Sequence, residues 1–428
     1  MILRVSPSAL RGTVVAPPSK SVAQRAIAAA ALASGSSMIR HIGDCDDVTA
    51  MLGAVAALGA EVELGEQDVR ITGFGGVPTP RSSSISLDAS GLGIRMLAPI
   101  AGCGTTEVTL TGTGSLLSRP LDALERMKGA EGIFTTADGK PPLRIRGPLQ
   151  PGEFQVDGAV SSQFASGMLM ALPTLRGDSR LTVDHPVSLP YVELTLEVLQ
   201  AFGIQVATVS EGVFFCRGGQ TYSPQDLRID GDWSAAAALL VAGMLAADPV
   251  LTVEGLDNRF TQADEAIRGA LLFAGGAASG TDSGIQVAKR PVRAFDVNLE
   301  HSPDLFPVLA ALAAFADKPS RLRGARRLAY KESDRATAII ETWKRAGIQV
   351  TREDDALVIH PRKGQEKVLP ARIHAGDDHR MAMAAALLGL AGAPIEIEGA
   401  ECVAKSYPAF FDDLEDLGAQ IRWVSQPA

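Results

Sequence analysis

A chain of 428 residues is too long for one ordinary hydrophobic core, so two domains are expected. Hydrophobic residues at 46% and charged residues at 21% give a globular balance, and aromatics at only 5% point to a core of small, closely packed side chains. The net charge of −9 argues against a nucleic-acid partner, because binding a phosphate backbone needs a basic face.

The opening residues, MILRVSPSALRG, lack the apolar run of a signal peptide. The longest Ala/Leu-rich runs, near 234–246 and 305–315, are too short to span a membrane. Cys45, Cys103, Cys216 and Cys402 show no CxxC spacing and read as reduced thiols. A soluble, cytoplasmic protein with no membrane partner is the expectation.

Along the chain one unit recurs. A helix ends at glycine and a strand follows at LGAEV, KGAEG, FGIQV, GGAAS, AGIQV and LGAQI, with glycines at 59, 129, 203, 276, 347 and 418. Glycine suits this place because a helix C-cap favours left-handed backbone. Between these sites lie polar heads followed by alanine-rich runs such as AIAAAALA, ASGMLMALP and MAMAAALLGLAG. A helix that is apolar all round is a buried helix.

Six copies follow, each with one buried and one amphipathic helix. Buried helices must share a core, so three copies per domain is the natural division. The sixth copy is one strand short, and the N-terminal ILRVS is expected to supply it. That predicts an α/β protein with a discontinuous domain, residues 1–17 plus 230–428, and a second domain, 18–229.

The heads carry the candidate chemistry. A helix N-terminus offers free N–H groups and partial positive charge, and so suits anions. Ordinary N-caps are the expectation at Asp88, Ser234 and Asp377. Capping does not account for the basic residues nearby: Lys20 and Arg25, Arg119 before Pro120, Lys331 and Arg335 on one face, Arg380, and Lys405 at the start of the last amphipathic helix. Cations there oppose the helix dipole, which bound anions would offset.

The segments PPSKSVAQRA (17–26), VSSQFASGMLMALP (160–173), YKESDR (330–335), DDHRMAMA (377–384) and AKSYPAFF (404–411) resemble the signature segments of the 5-enolpyruvylshikimate-3-phosphate synthases, in the family's order and spacing. The resemblance implies an inside-out α/β barrel in two domains. Each would hold three βαβαββ repeats with buried helices and outer sheets, and the active site would lie in the cleft between.

It further implies that Lys20, Ser21, Arg25, Ser161, Ser162, Gln163, Ser188, Tyr191, Asp304 and Lys331 hold shikimate 3-phosphate. Lys20, Gly91, Arg119, Gln163, Arg335, Arg380 and Lys405 would hold phosphoenolpyruvate. Asp304 matches the family's proton acceptor, and Glu332 and Lys20 are candidates for the proton exchange at the methylene carbon. No cofactor or metal is implied, and a monomer is expected.

Some positions depart from the family pattern. In LDASGLGIRML, Ala89 stands where asparagine is expected and Leu92 where threonine is, while Gly91 and Arg95 remain. Arg327 often corresponds to asparagine in relatives; a phosphate contact and a surface arginine are both open. His379 reads equally as an orienting residue or a proton carrier.

The alternatives are a UDP-N-acetylglucosamine enolpyruvyl transferase, a non-catalytic binder, or a paralogue acting on another cyclic alcohol. Lys20-Ser21 in place of a Lys-Asn pair, and a Cys103 that reads as a structural thiol, speak against the first.

Overall fold

The computed structural model describes residues 1–280, 284–364 and 366–424. Their strands form six four-stranded sheets of one design. A leading strand pairs in parallel with the next. That strand pairs antiparallel with a third, which pairs antiparallel with a fourth. Glu153–Asp157, Ser179–Asp184, Val213–Cys216 and Val206–Ser210 show the pattern. The parallel step needs a crossover, and in four of the copies the buried helix between the two strands supplies it.

Several strands are buried on one face only. Ser179–Asp184 and Ile395–Glu398 alternate buried and half-buried residues along the strand. The buried faces meet the alanine-rich helices. Gly91–Gly102 and Phe306–Ala313 are buried at every residue, and Trp233–Ala246 at every residue but Ser234. Small residues let these helices approach closely. A Cβ at Gly167 would stand 2.5 Å from the Arg95 carbonyl oxygen, so only glycine fits there. The fold is thus the α/β arrangement of inner helices and outer sheets that the repeats imply.

The chain divides into two compact units. One comprises Met1–Pro17, Gly231–Asp257 and Ala263–Ala428; the other comprises Pro18–Asp230 and Asn258–Gln262. In the first unit, Ile2–Ser6 lies between Ile395–Glu398 and Gln420–Val424, antiparallel to both. Two leading strands leave their sequence neighbours. Leu10–Val15 pairs with Ala247–Glu254, and Asp226–Arg228 pairs with Ser36–Arg40. The segment Asn258–Gln262 packs with the second unit because Glu197 accepts from the Thr261 N–H and hydroxyl, and Asp230 accepts from the N–H groups of Arg259 and Phe260.

Several local expectations need correction. The second copy's amphipathic helix is a single turn, Asp122–Glu125, and Gly129 follows in a left-handed turn rather than as its direct C-cap. In the fourth copy the left-handed residue is Gly275, not Gly276. Lys331 and Arg335 do not share a helix face, because Asp334 caps the helix that begins at Arg335. Lys405 ends the 3-10 turn Ala400–Lys405; Pro408 delays the next helix to Phe410–Asp416. Among the described residues no helix is long and apolar enough to cross a membrane.

Candidate functional site

In the Pro18–Asp230 unit, the helix Lys20–Leu32 starts without a side-chain cap. Lys20 pairs with Asp47 at 2.9 Å. Arg25, one turn on, is 1% exposed and donates to the Thr195 hydroxyl (2.8 Å), the Ser21 carbonyl (2.9 Å), the Tyr191 carbonyl (3.1 Å) and the Ser166 hydroxyl (3.4 Å). All four acceptors are neutral. Burial without a carboxylate partner pushes the Arg25 guanidinium down to about 10. Ser188, buried and left-handed at φ 50°, begins the Leu189–Ala201 helix that carries Tyr191 and Thr195.

A second group in this unit surrounds the head of the helix Gly91–Gly102. Arg119 lies directly against Gly91, where any Cβ would strike its Nη1, and donates to the Ser115 hydroxyl at 3.3 Å. Arg95 donates to the Gln163 side-chain oxygen at 2.8 Å and to the Pro120 carbonyl at 3.0 Å, and stacks on Phe164. Ser161 accepts from the Gln163 N–H. Ala89 and Leu92 leave the cap to Ser90, whose hydroxyl accepts from the Gly93 N–H and donates to Gln24.

The caps therefore differ from those expected. Ser90, Asp232 and Asp378 cap their helices. Asp88 (φ 46°) and Asp377 (φ 57°) hold strained left-handed backbone instead. Ser234 donates its hydroxyl to Asp264 in a short hydrogen bond.

In the other unit the charged residues form a network. Arg335, fully buried, pairs with Asp304 (2.6 Å), Glu332 (2.7 Å) and Asp378 (2.7 Å). Asp304 also meets Lys331 and Arg380, each at 3.3 Å. Burial opposes the Asp304 charge, but Arg380, Lys331 and Arg335 outweigh it and hold the carboxyl well below the usual range. Burial likewise opposes the Arg335 charge, yet its three carboxylates raise its pKa well above the ordinary value. Lys331 is lowered, chiefly by burial. His379, next to Arg380, and Lys405 are buried in the same unit. Arg327 is half-buried and donates to the Glu300 carbonyl at 2.9 Å.

The structure thus gathers the predicted residues into clusters. Lys20, Ser21, Arg25 and Tyr191 contribute to one unit, together with Gly91, Arg119 and Gln163. Asp304, Lys331, Glu332, Arg335 and Arg380 contribute to the other. Asp47, Thr195, Ser166 and Asp264 were not anticipated. Each meets its partner across separate elements, so no local spacing marks it.

Buried guanidinium and ammonium groups at helix heads, with carboxylates among them, define an α/β protein built to bind small anions and move protons. The family profile described as EPSP synthase (3-phosphoshikimate 1-carboxyvinyltransferase) matches residues 5–414. A 3-phosphoshikimate 1-carboxyvinyltransferase of Clostridium kluyveri is 37% identical over 97% of each chain. One of Methanocorpusculum labreanum is 38% identical over 99% of this chain and 100% of its own. An EPSP synthase structure from Acinetobacter baumannii superposes with a TM-score of 0.79 at 25% identity, covering 99% of this chain and 100% of that one. The enolpyruvyl transferase NikO from Streptomyces tendae shares the fold, with a TM-score of 0.75 at 20% identity over 100% of this chain and 99% of its own. The chain belongs to the EPSP synthase family.

Proposed function

We propose that this protein is an enzyme that transfers the enolpyruvyl group of phosphoenolpyruvate to the 5-hydroxyl of shikimate 3-phosphate, releasing phosphate. The observation that carries the reading is Asp304, a half-buried carboxylate ringed by Lys331, Arg335 and Arg380 with Glu332 alongside. Family membership and the names of the relatives support the substrate pair.

Arg25, Lys20 and Ser21 hold the shikimate ligand, with Ser161, Ser162, Ser188 and Tyr191. Arg335 and Arg380 take the phosphate and carboxylate of phosphoenolpyruvate, with Arg119, Gly91, Gln163 and Lys405. Guanidinium groups match both anions in shape. Asp304 accepts the hydroxyl proton as the oxygen bonds to C2, and the methylene carbon gains a proton from Glu332 or Lys20. The C2–phosphate bond then breaks as that carbon returns a proton. Asp304 is a weak base while three cations hold it. A ligand that engages Arg335 and Arg380 loosens that grip and makes it a stronger one.

The nucleotide-sugar alternative finds less support. Cys103 is buried beside Thr174, and burial pushes its thiol up to about 11, so it is no reactive thiolate. A cytoplasmic monomer completes the reading.

The test is phosphate release from the two substrates, with Asp304→Ala and Arg119→Ala alongside. Release that needs both substrates and collapses in both variants is the expected result. Absence of release from a folded protein that still binds shikimate 3-phosphate would sink the reading.

A further inference from the structure

The Arg25 guanidinium is held where helices meet inside the Pro18–Asp230 unit. Arg25 comes from Lys20–Leu32, Ser166 from Gln163–Ala171, and Tyr191 and Thr195 from Leu189–Ala201. Ser166 and Thr195 are both fully buried. The single hydrogen of the Thr195 hydroxyl is shared between the Tyr191 carbonyl (2.9 Å), one turn back in its own helix, and the Ser166 hydroxyl (2.8 Å). A threonine bonded back along its own helix is common and by itself indicates nothing. Here it leaves the oxygen to accept from another helix, and Arg25 Nε donates to it at 2.8 Å.

Nε is the guanidinium nitrogen nearest the main chain. A contact there fixes the plane of the fork, whereas contacts at the Nη groups alone let it swing. Those groups donate to the Ser21 carbonyl (2.9 Å), the Tyr191 carbonyl (3.1 Å) and, at 3.4 Å, the Ser166 hydroxyl. The carbonyls are present whatever the sequence, so the two hydroxyls are the part that side-chain identity supplies. Threonine is branched at Cβ and stiff at χ1. Its bond to the Tyr191 carbonyl sets its rotamer, and that rotamer aims the oxygen at Nε. A carboxylate in this place would hold Nε more firmly but would also neutralise the cation. A hydroxyl fixes the direction of the fork and leaves its charge for a ligand.

We propose that Thr195 is a positioning residue for shikimate 3-phosphate: its hydroxyl, backed by that of Ser166, fixes the Arg25 guanidinium in the direction that meets an anionic group of the ligand. The proposal rests on the reading that Arg25 holds this ligand. Thr195 acts through Arg25 and touches no reacting atom.

The experiment is calorimetric titration of shikimate 3-phosphate into the wild-type protein, Thr195→Val, Thr195→Ser and Ser166→Ala, with urea melts of the same four. Valine keeps the shape of threonine and loses the hydroxyl; serine keeps the hydroxyl and loses the methyl. If the hydroxyl positions Arg25, the Kd should rise about tenfold in Thr195→Val, the size of a lost hydrogen bond to a charged group. In Thr195→Ser it should stay within about threefold of the wild type, while stability falls because the lost methyl leaves a void. Affinity then follows the hydroxyl and not the packing. Ser166→Ala removes the longer contact and the partner of Thr195, and should raise the Kd by about threefold to fivefold. It decides the matter if Thr195→Val does not fold.

A wild-type Kd in Thr195→Val, or in Ser166→Ala where the valine variant does not fold, would overturn the proposal. Equal losses of affinity in Thr195→Val and Thr195→Ser would overturn it too, and would make Thr195 a packing residue. Those outcomes leave the functional reading intact. Absence of binding by the wild-type protein would overturn that reading and this proposal with it.

Discussion

Arg25 and Arg335 are both guanidinium groups buried at the heads of helices, yet their surroundings are opposite. Arg25 donates only to hydroxyls and carbonyls and makes no ion pair among the described residues, and its proton is weakened. Arg335 is pinned by Asp304, Glu332 and Asp378, and its proton is strengthened. The first environment supplies neutral acceptors only, and the second supplies carboxylates. On the proposed reading an anion would bring Arg25 the charge it lacks, and at Arg335 it would compete with Asp304, Glu332 and Asp378.

The comparison can be broken most forcefully at Arg335. Arg335→Ala leaves three carboxylates around an empty space, and should lower stability by about 3–5 kcal/mol in urea melts. Phosphate release in the same variant should fall roughly a thousandfold. A mild effect on both would mean that the network is dispensable.

Arg25→Met should behave in the opposite way. It removes a buried charge that no carboxylate offsets, so the melting temperature should hold or rise, by up to ~2 kcal/mol of stability. The KM for shikimate 3-phosphate should nonetheless rise by about a hundredfold, from loss of a charge-assisted contact. Destabilisation with unchanged KM would make Arg25 a structural residue.

Gly91→Ala sharpens the same picture within one unit. The new methyl would push the Arg119 guanidinium away while the helix itself accepts alanine. The KM for phosphoenolpyruvate should rise about tenfold, near 1.4 kcal/mol, with stability unchanged. At Asp264 the expected effect depends on pH. Its pKa is raised in the folded protein, so the unfolded chain loses that proton first as pH rises. Stability from this group is therefore present below about pH 4 and lost by about pH 6. Asp264→Asn escapes that loss and should be ~1–3 kcal/mol more stable at pH 7.5, a gain that fades toward pH 4.

The repeats were legible because their signals are local. Glycine at the helix C-terminus and alanine-rich runs follow from backbone conformation and burial alone, and Gly59, Gly203, Gly347 and Gly418 do adopt left-handed backbone. The ILRVS strand was expected from copy-counting, and Ile2–Ser6 lies within the sheet that holds the sixth copy. Caps were less legible. The choice between Asp88 and Ser90, or Asp377 and Asp378, depends on which residue takes the left-handed turn, and the residue types are equally suited to it. Lys331 and Arg335 read as one helical face because i and i+4 match, yet Asp334 caps between them. Asp47 and Asp264 were invisible because their partners, Lys20 and Ser234, sit on other elements.

The most direct test of the contrast is thermal stabilisation by each substrate alone. Ligand that binds only the folded state raises stability by RT ln(1 + [ligand]/Kd). Shikimate 3-phosphate alone should stabilise the protein clearly, and Arg25→Met should abolish the effect. Phosphoenolpyruvate alone should stabilise it little, because Asp304 still holds Arg335 and Arg380, and Asp304→Asn should increase the effect. Strong stabilisation by phosphoenolpyruvate alone, indifferent to Asp304→Asn, would contradict the account.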